Sequence, residues 1–543
     1  MFLIKTTEMA ALTTLPAELL HEILLHLPPS SLVSVCRTSK ALQLFFEPFL
    51  YKSIKWGFDG SERHGHPPHP IHSFFWSLCQ RPALASYVKK AELRSDVTRW
   101  TDGLPNLPAP SHIQALWLDA LKLQSLSQWD MATYSTEISR GSPGAFIGLL
   151  LASLHNIEVL VTDYTMLSES DMPHVVFRQA LGTRSSDVQS GSYQGSRFLK
   201  LKEAIVRNNL DSRIIKDDMN SQLSSIFSLR SLEHVTTILQ CSDGMPWETA
   251  RVASQENENL PTLRTLRLTN HLSNPGAITA LLANAPRLER LEYFLVEDTD
   301  DLAQDEEYEA AHTDEWPAFS GALLAVAESL KSLKISIDEA ATSDYPPDTM
   351  DIDWMEGISA RRGSIGSLRG LRNLTKLEIP MYLLLGRYPH IVKLGDVLPP
   401  SLRKLCLRDD HVYGVDLDNC DPERVIELIR NYLVGRQHED NAAERVSLEE
   451  LGINLRGRGL YRRFDLEALE KMSQEAGIKC IMHLRKETFM STKGRCIDQV
   501  EELTIYDPST VRLDRDADDT VVGETGYPTR YFNKEAGCFE SNV

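Results

Sequence analysis

Two periodicities divide the chain. Between Leu15 and Leu42 apolar residues recur at helical spacing, and from Val88 onward they recur in a short alternating template suited to strands. In the first region Leu19, Leu20, Ile23, Leu24 and Leu27 follow the i, i+3, i+4 rule of an amphipathic helix. Leu25 widens that stripe beyond a single packing face. Thr14 stands where an N-cap would, and Pro16 falls near the first turn, where a missing N–H costs little. Pro28 and Pro29 stop the helix, because neither ring continues it and each restricts the residue before it. Ser30 or Ser31 is placed to cap a second helix carrying Leu32, Val33, Val35, Cys36 and Leu42. A third short element is expected from Glu47-Pro48 through Ile54. Three short helices make a small core, and surplus apolar surface on such a unit suits a permanent partner. A helical cap on the downstream domain is the plainer alternative.

The second periodicity is a six-residue template, apolar-x-x-apolar-x-apolar. It recurs eleven times, starting at Val88, Ile113, Ile157, Leu201, Leu232, Leu263, Leu288, Leu330, Leu374, Leu402 and Leu448, at intervals of 25 to 46 residues. Several instances follow an apolar helical run, as in AITALLANAPRLERLEY and FSGALLAVAESLKSLKISI. The unit therefore reads as strand, loop and helix, and such units stack so that each buries its neighbour's apolar edge. Alternation along a strand sends Leu266 and Leu268 inward and Thr265, Arg267 and Thr269 outward. Leu405 and Leu407 point inward by the same count, and Trp117, Arg290, Lys334, Lys376, Lys404 and Arg408 point outward. Exposed Trp and Arg are frequent binding anchors, which makes this face a candidate site. Two alternatives stand beside it: Trp117 packs under a neighbouring loop, and the cations pair with Glu292, Glu378 and Asp409. An ordinary α/β domain with leucine-rich strands is the alternative to stacked repeats.

Composition narrows the classes. The chain has 543 residues, enough for roughly three or four domains unless a repeat array absorbs the length. No apolar run approaches the roughly 18 residues needed to span a bilayer, and MFLIKTTEMA turns polar too soon for a secretory leader. A formal net charge of −19 argues against nucleic acid or a membrane as partner, since both favour basic surfaces. The eight cysteines form no CxxC pair and read as reduced thiols, so the expected location is cytoplasmic and/or nuclear. No P-loop, GxSxG, HExxH or strand–helix GxGxxG motif occurs, so neither catalysis nor a cofactor is expected. HGHPPHPIH, with His64, His66, His69 and His72, reads as a solvated loop more than a metal site. VEDTDDLAQDEEYEA at 296–310 reads as an acidic insertion or solvated helix, while RRGSIGSLRG at 361–370 and LRGRGLYRR at 455–463 are basic islands. Arg361-Arg362-Gly363-Ser364 resembles a basophilic kinase site, and both islands are suited to gripping a phosphorylated partner.

The N-terminal segment resembles the F-box through Leu15-Pro16, Glu18-Leu19, Ile23, Leu27-Pro28, Leu32, Val35-Cys36-Arg37, Leu42, Pro48 and Leu50-Tyr51. It departs from the family where an aromatic residue often follows the Cys-Arg pair; Thr38-Ser39-Lys40 stands there instead. The resemblance implies binding to the Skp adaptor of a cullin–RING (SCF) ubiquitin ligase, through Leu15, Pro16, Leu19, Ile23, Leu24, Leu27, Leu32 and Val35. The template resembles leucine-rich repeats in the irregular form common among fungal F-box proteins. The asparagine that usually follows the strand is mostly missing, with His271 and Asp410 in its place. The expected architecture is α/β: a three-helix F-box at 12–54, a linker and helical cap at 55–87, and an irregular leucine-rich-repeat solenoid at 88–484. Its parallel strands would line the concave face with helices outside, and residues 485–543 would form a polar, partly disordered tail. Such a chain would be a non-catalytic substrate-recognition subunit, joined through the adaptor to cullin and the RING subunit. Its protein substrate, acidic or phosphorylated, would meet Trp117, Arg267, Arg290, Lys334, Lys376, Lys404 and Arg408. A scaffold working with the adaptor outside a ligase, and a hydrolase in a divergent α/β domain, are the alternatives.

Overall fold

The computed structural model describes residues 15–58, 70–95, 111–122, 128–168, 170–180, 198–207, 223, 225–227, 229–237, 262–271, 278–298, 315–340, 364–386, 393–410, 422–437, 448–456, 466–488, 497–509, 530–533 and 538–541. The chain divides into two compact units, Met1–Asn270 and His271–Val543.

The first unit opens with α1 (Ala17–Leu25), α2 (Pro29–Cys36) and α3 (Lys40–Tyr51). The proline pair works in both directions. Pro28 takes the N-cap position of α2 and Pro29 its first turn, where no N–H is needed, so the helix starts ahead of the expected serine caps. No side chain caps it. Ser39 does cap α3, its hydroxyl oxygen accepting the Leu42 N–H at 3.1 Å. Thr14, the expected cap of α1, lies outside the described residues.

Lys52 alone separates α3 from β1 (Ser53–Phe58), a strand that stands where the sequence suggested the end of a third short element. The Lys52 carbonyl accepts the N–H groups of Lys89 and Lys90 at 2.9 and 3.1 Å. After α4 (Pro70–Gln80) and a 3₁₀ turn (Pro82–Tyr87) come β2 (Lys90–Ser95), α5 (Ser111–Lys122), α6 (Gln128–Arg140), α7 (Pro143–Ser153) and β3 (Val159–Asp163). Then come α8 (Tyr164–Ser168), α9 (Met172–Ala180), β4 (Glu203–Arg207), β5 (His234–Thr237) and β6 (Thr265–His271). Each strand pairs in parallel with the one before it.

The second unit holds α10 (Thr279–Ala283), β7 (Arg290–Asp298), α11 (Glu315–Leu323), β8 (Ser332–Ala340), β9 (Lys376–Pro380) and α12 (Met381–Leu385). It continues through α13 (Leu394–Val397), β10 (Lys404–Arg408), α14 (Pro422–Gln437), β11 (Glu450–Arg456), α15 (Leu466–Ala476) and β12 (Lys479–Thr488). Strands β7 to β12 are again parallel and in chain order. The region after 485, expected as a frayed tail, instead supplies the end of β12 and an antiparallel partner, β13 (Ile497–Tyr506). It also carries a separate hairpin, Arg530–Asn533 with Cys538–Ser541.

Ten of the eleven template instances are strands, and each strand begins two residues after its template starts. In-register pairing then sets equal template positions side by side. Leu291, Leu333, Leu377, Leu405 and Leu451 form one such row, and all five are buried. Burying a leucine contributes about 1.5–3 kcal/mol, so a row of this kind is a main source of cohesion. Glu289, Lys331, Arg403 and Glu449 occupy the position before the strands, where backbone bonds such as Lys331 N–H to Glu289 O at 2.8 Å repeat from unit to unit. Their side chains pair across strands: Lys331–Glu289 at 3.0 Å and Arg403–Glu449 at 3.4 Å, matched in the first unit by Lys89–Glu158 at 2.9 Å and Lys202–Glu233 at 3.3 Å.

The exception is Ile113. IQALWL lies inside α5, because Ile113, Leu116, Trp117, Ala120 and Leu121 also satisfy a helical stripe. Trp117 is accordingly on a helix and buried, with Phe146 at 4.0 Å and His72 at 4.9 Å between ring centroids. Among the described residues no helix is long and apolar enough to cross a membrane.

Candidate functional site

The N-terminal helices bury Leu20, Leu24, Leu32, Leu42 and Phe46, with Leu15, Leu27, Val35, Cys36, Phe45, Phe49 and Leu50 packed against them. This sorts the eight residues expected to meet an adaptor. Leu24 and Leu32 are corrected: they hold the bundle together and offer no surface. Leu15, Leu27 and Val35 are half-buried against that core. Pro16, Leu19 and Ile23 are exposed, Leu19 to 53 % and Ile23 to 38 %. Leu19 and Ile23 sit one turn apart on α1 and present adjacent apolar side chains. The sequence reading missed Leu44 on α3, exposed to 72 %; its position within an apolar run concealed it.

The bundle is fastened to the segment that carries α4 and the 3₁₀ turn. The Arg81 guanidinium forms a two-pronged pair with the buried Glu47 carboxylate, at 2.7 and 2.5 Å, and Tyr51 stacks on Phe74 with centroids 6.0 Å apart. The Arg81 guanidinium is raised further above its usual range by its hydrogen bonds to Glu47. Burial, then the Glu47 charge, pushes the Cys36 thiol up, away from the reactive thiolate form. No motif marked Glu47 and Arg81, which lie 34 residues apart.

In the second unit the outward rows of β7–β10 carry five of the seven residues expected to hold a substrate, and the structure divides them. Of the two in the first unit, Trp117 is corrected, being buried on α5, and Arg267 is on β6. Arg408 is corrected: it is fully buried. Its guanidinium donates to Asp410 at 2.7 and 3.0 Å, to Glu378 at 2.6 Å and to the Ser336 hydroxyl at 2.8 Å. The Asp410 carboxylate also accepts the Ile337 N–H at 3.0 Å. Lys334 pairs with Glu378 at 2.7 Å and lies over the Phe294 ring. Burial alone would raise the Glu378 carboxyl, yet Lys334 and Arg408 hold it below the usual carboxylate range. Burial likewise opposes the Arg408 charge, and Asp410 and Glu378 reverse that effect. This is a closed, mutually satisfied cluster that ties three strands together. Lys404 pairs with Glu450 at 2.7 Å, while Arg267, Arg290 and Lys376 are exposed.

Other chemistry is sparse. Among the described residues no group of three His, Cys, Asp or Glu is placed to hold a metal ion. His72 is buried in α4 beside Trp117 and Phe146, and His64, His66 and His69 lie outside the described residues. Ser225 and the His174 Nδ1 are 2.7 Å apart, a pairing that resembles half of a hydrolytic dyad, but Ser225 is buried and presents no hydroxyl to a substrate. Ser364 is half-buried and its hydroxyl oxygen accepts the Gly366 N–H at 3.2 Å; Arg361–Gly363, residues 299–310 and the basic island beyond Arg456 lie outside the described residues.

An F-box-like family model matches residues 12–55, the span of α1 to α3 and the first residues of β1. No curated protein matches the chain.

Proposed function

We propose that this chain is the substrate-recognition subunit of an SCF-type ubiquitin ligase. Its N-terminal helices bind the Skp adaptor, and its parallel-strand array, an irregular leucine-rich-repeat solenoid, holds the target protein. The observation that carries this reading is the coincidence of the F-box-like match with a helical bundle that seals its own core yet leaves Leu19 and Ile23 exposed side by side. The orderly run of template strands supports the repeat assignment. On this reading the chain supplies proximity and orientation, and the covalent steps belong to the RING subunit and the ubiquitin-conjugating enzyme. The free thiols Cys36, Cys79, Cys406 and Cys480 fit a reducing compartment, cytoplasm or nucleus.

Capture of purified Skp adaptor and cullin by the full chain tests this. Truncating interface anchors costs about 2 kcal/mol or more, so Leu19→Ala with Ile23→Ala should weaken adaptor capture by roughly thirtyfold or more while the thermal melt stays in place. Undiminished capture by a folded double variant would remove the core of the proposal. Adaptor capture without cullin would point instead to a scaffold working outside a ligase.

A further inference from the structure

Strand register in the second unit brings Arg290, Ser332, Lys376 and Lys404 into one continuous outward row, each residue paired in register with the next across β7, β8, β9 and β10. Arg290, Lys376 and Lys404 are exposed and Ser332 half-exposed. The anions close to this row are committed elsewhere: Glu289 to Lys331, Glu378 to Lys334 and Arg408, Glu450 to Lys404, and Glu292 is engaged as well. Neither Arg290 nor Lys376 has a partner among the described residues. Lys376 also stands in register with Lys404, whose own charge is met by Glu450 on the far side. Among the described residues every other cation of the two outer rows of β7–β10 is neutralised, so Arg290 and Lys376 are a local exception to the pattern of this face.

We propose that this row docks an extended, Asp/Glu-rich segment of a partner protein, with Arg290 and Lys376 each taking a carboxylate and the Ser332 hydroxyl donating between them. The inference rests on the reading of the strand array as the target-holding part of the chain and names the chemistry of what it holds. Strands lie about 4.8 Å apart, so Arg290 and Lys376 are set roughly 10 Å apart at the backbone. Same-face side chains of an extended peptide recur about every 6.7 Å, a spacing that two long, flexible cations can meet from 10 Å. Arginine adds a two-pronged grip on one carboxylate. The net charge of −19 disfavours acidic segments in general, so a local row of positive charge is where one would dock.

Fluorescence anisotropy on the full chain decides this, with a labelled alternating Glu-Gly peptide as probe and its Gln-Gly counterpart as the neutral control. The Glu-Gly peptide should bind with an affinity that falls as salt rises, and the Gln-Gly peptide should not bind. Arg290→Glu with Lys376→Glu should weaken binding by about tenfold or more. Lys122→Glu with Lys471→Glu makes the same change in net charge at exposed sites elsewhere and should leave binding close to wild type. Absence of wild-type binding at low salt, or equal loss in both double reversals, overturns the proposal. Binding confined to a phosphoserine-Gly peptide overturns it in favour of a phosphate reader. Adaptor capture measured on the same preparations depends on α1 and should be unchanged throughout, so failure of the row and failure of the ligase reading give different results.

Discussion

Two regions of the molecule break the usual sorting of residues in opposite senses. The N-terminal bundle leaves large aliphatic side chains outside, Leu19, Ile23 and Leu44, although its neighbours Leu20 and Leu24 are inside. The β8–β10 region takes a charged side chain, Arg408, fully inside. In the first case the apolar stripe is wider than the described three-helix core covers, and Leu19, Ile23 and Leu44 are left over. In the second the chain supplies the partners itself: two carboxylates and a hydroxyl surround the guanidinium, and a backbone amide secures one of the carboxylates. Exposure of the apolar groups is the feature on which the proposed adaptor contact rests; burial of the charge is an internal tie.

The largest expected effect breaks that tie. Arg408→Met leaves Asp410 without its guanidinium partner and Glu378 with Lys334 alone, and removing one member of a buried ion cluster costs about 3–5 kcal/mol. Urea unfolding should show that loss near neutral pH. Because the Glu378 carboxyl is held below its ordinary value in the folded state, its ion-pair stabilisation is present above the ordinary carboxylate range and is lost as pH falls through the depressed value. The gap between wild type and variant should therefore narrow in acid, and a pH-independent gap would mean the cluster is held by packing instead.

Next in size is the contrast between sequence neighbours in the bundle. Leu20→Ala should cost about 2–5 kcal/mol as a cavity in a small core, whereas Leu19→Ala should lie within about 0.5 kcal/mol of wild type as a surface change. Equal destabilisation by the two would erase the distinction drawn between core and surplus leucines. The smallest effect belongs to the paired charges ahead of the strands. A double-mutant cycle on Glu289 and Lys331 should return roughly 0.2–1 kcal/mol, disappearing at high salt.

Much of this was legible as period. Ten template strands could be located from alternation alone, and Leu266, Leu268, Leu405 and Leu407 are buried as the alternation requires. Ile113 shows the limit: six residues that fit a strand template also fitted a longer helical stripe, and the longer stripe prevailed. Arg408 shows another. Alternation places it on the outward row, but whether that row is covered depends on Asp410, Glu378 and Ser336 converging from three segments far apart in sequence. In the bundle, the helix period identified which residues were apolar without dividing those that face inward from those left over. Leu24 and Leu32 therefore looked equivalent to Leu19 and Ile23, and the difference lay in tertiary packing.

The join between α3 and β1 has a mechanical consequence. Lys52 is the sole residue between helix and strand, its carbonyl is held by two amides of the adjoining segment, and the Glu47–Arg81 pair braces the helix from the side. A swivel needs free dihedral angles, and a one-residue join offers only the two of Lys52. Reorientation of the helices about this corner would have to break those two backbone bonds and the Glu47–Arg81 pair. One residue inserted at that corner would turn every later side chain of β1 to the opposite face.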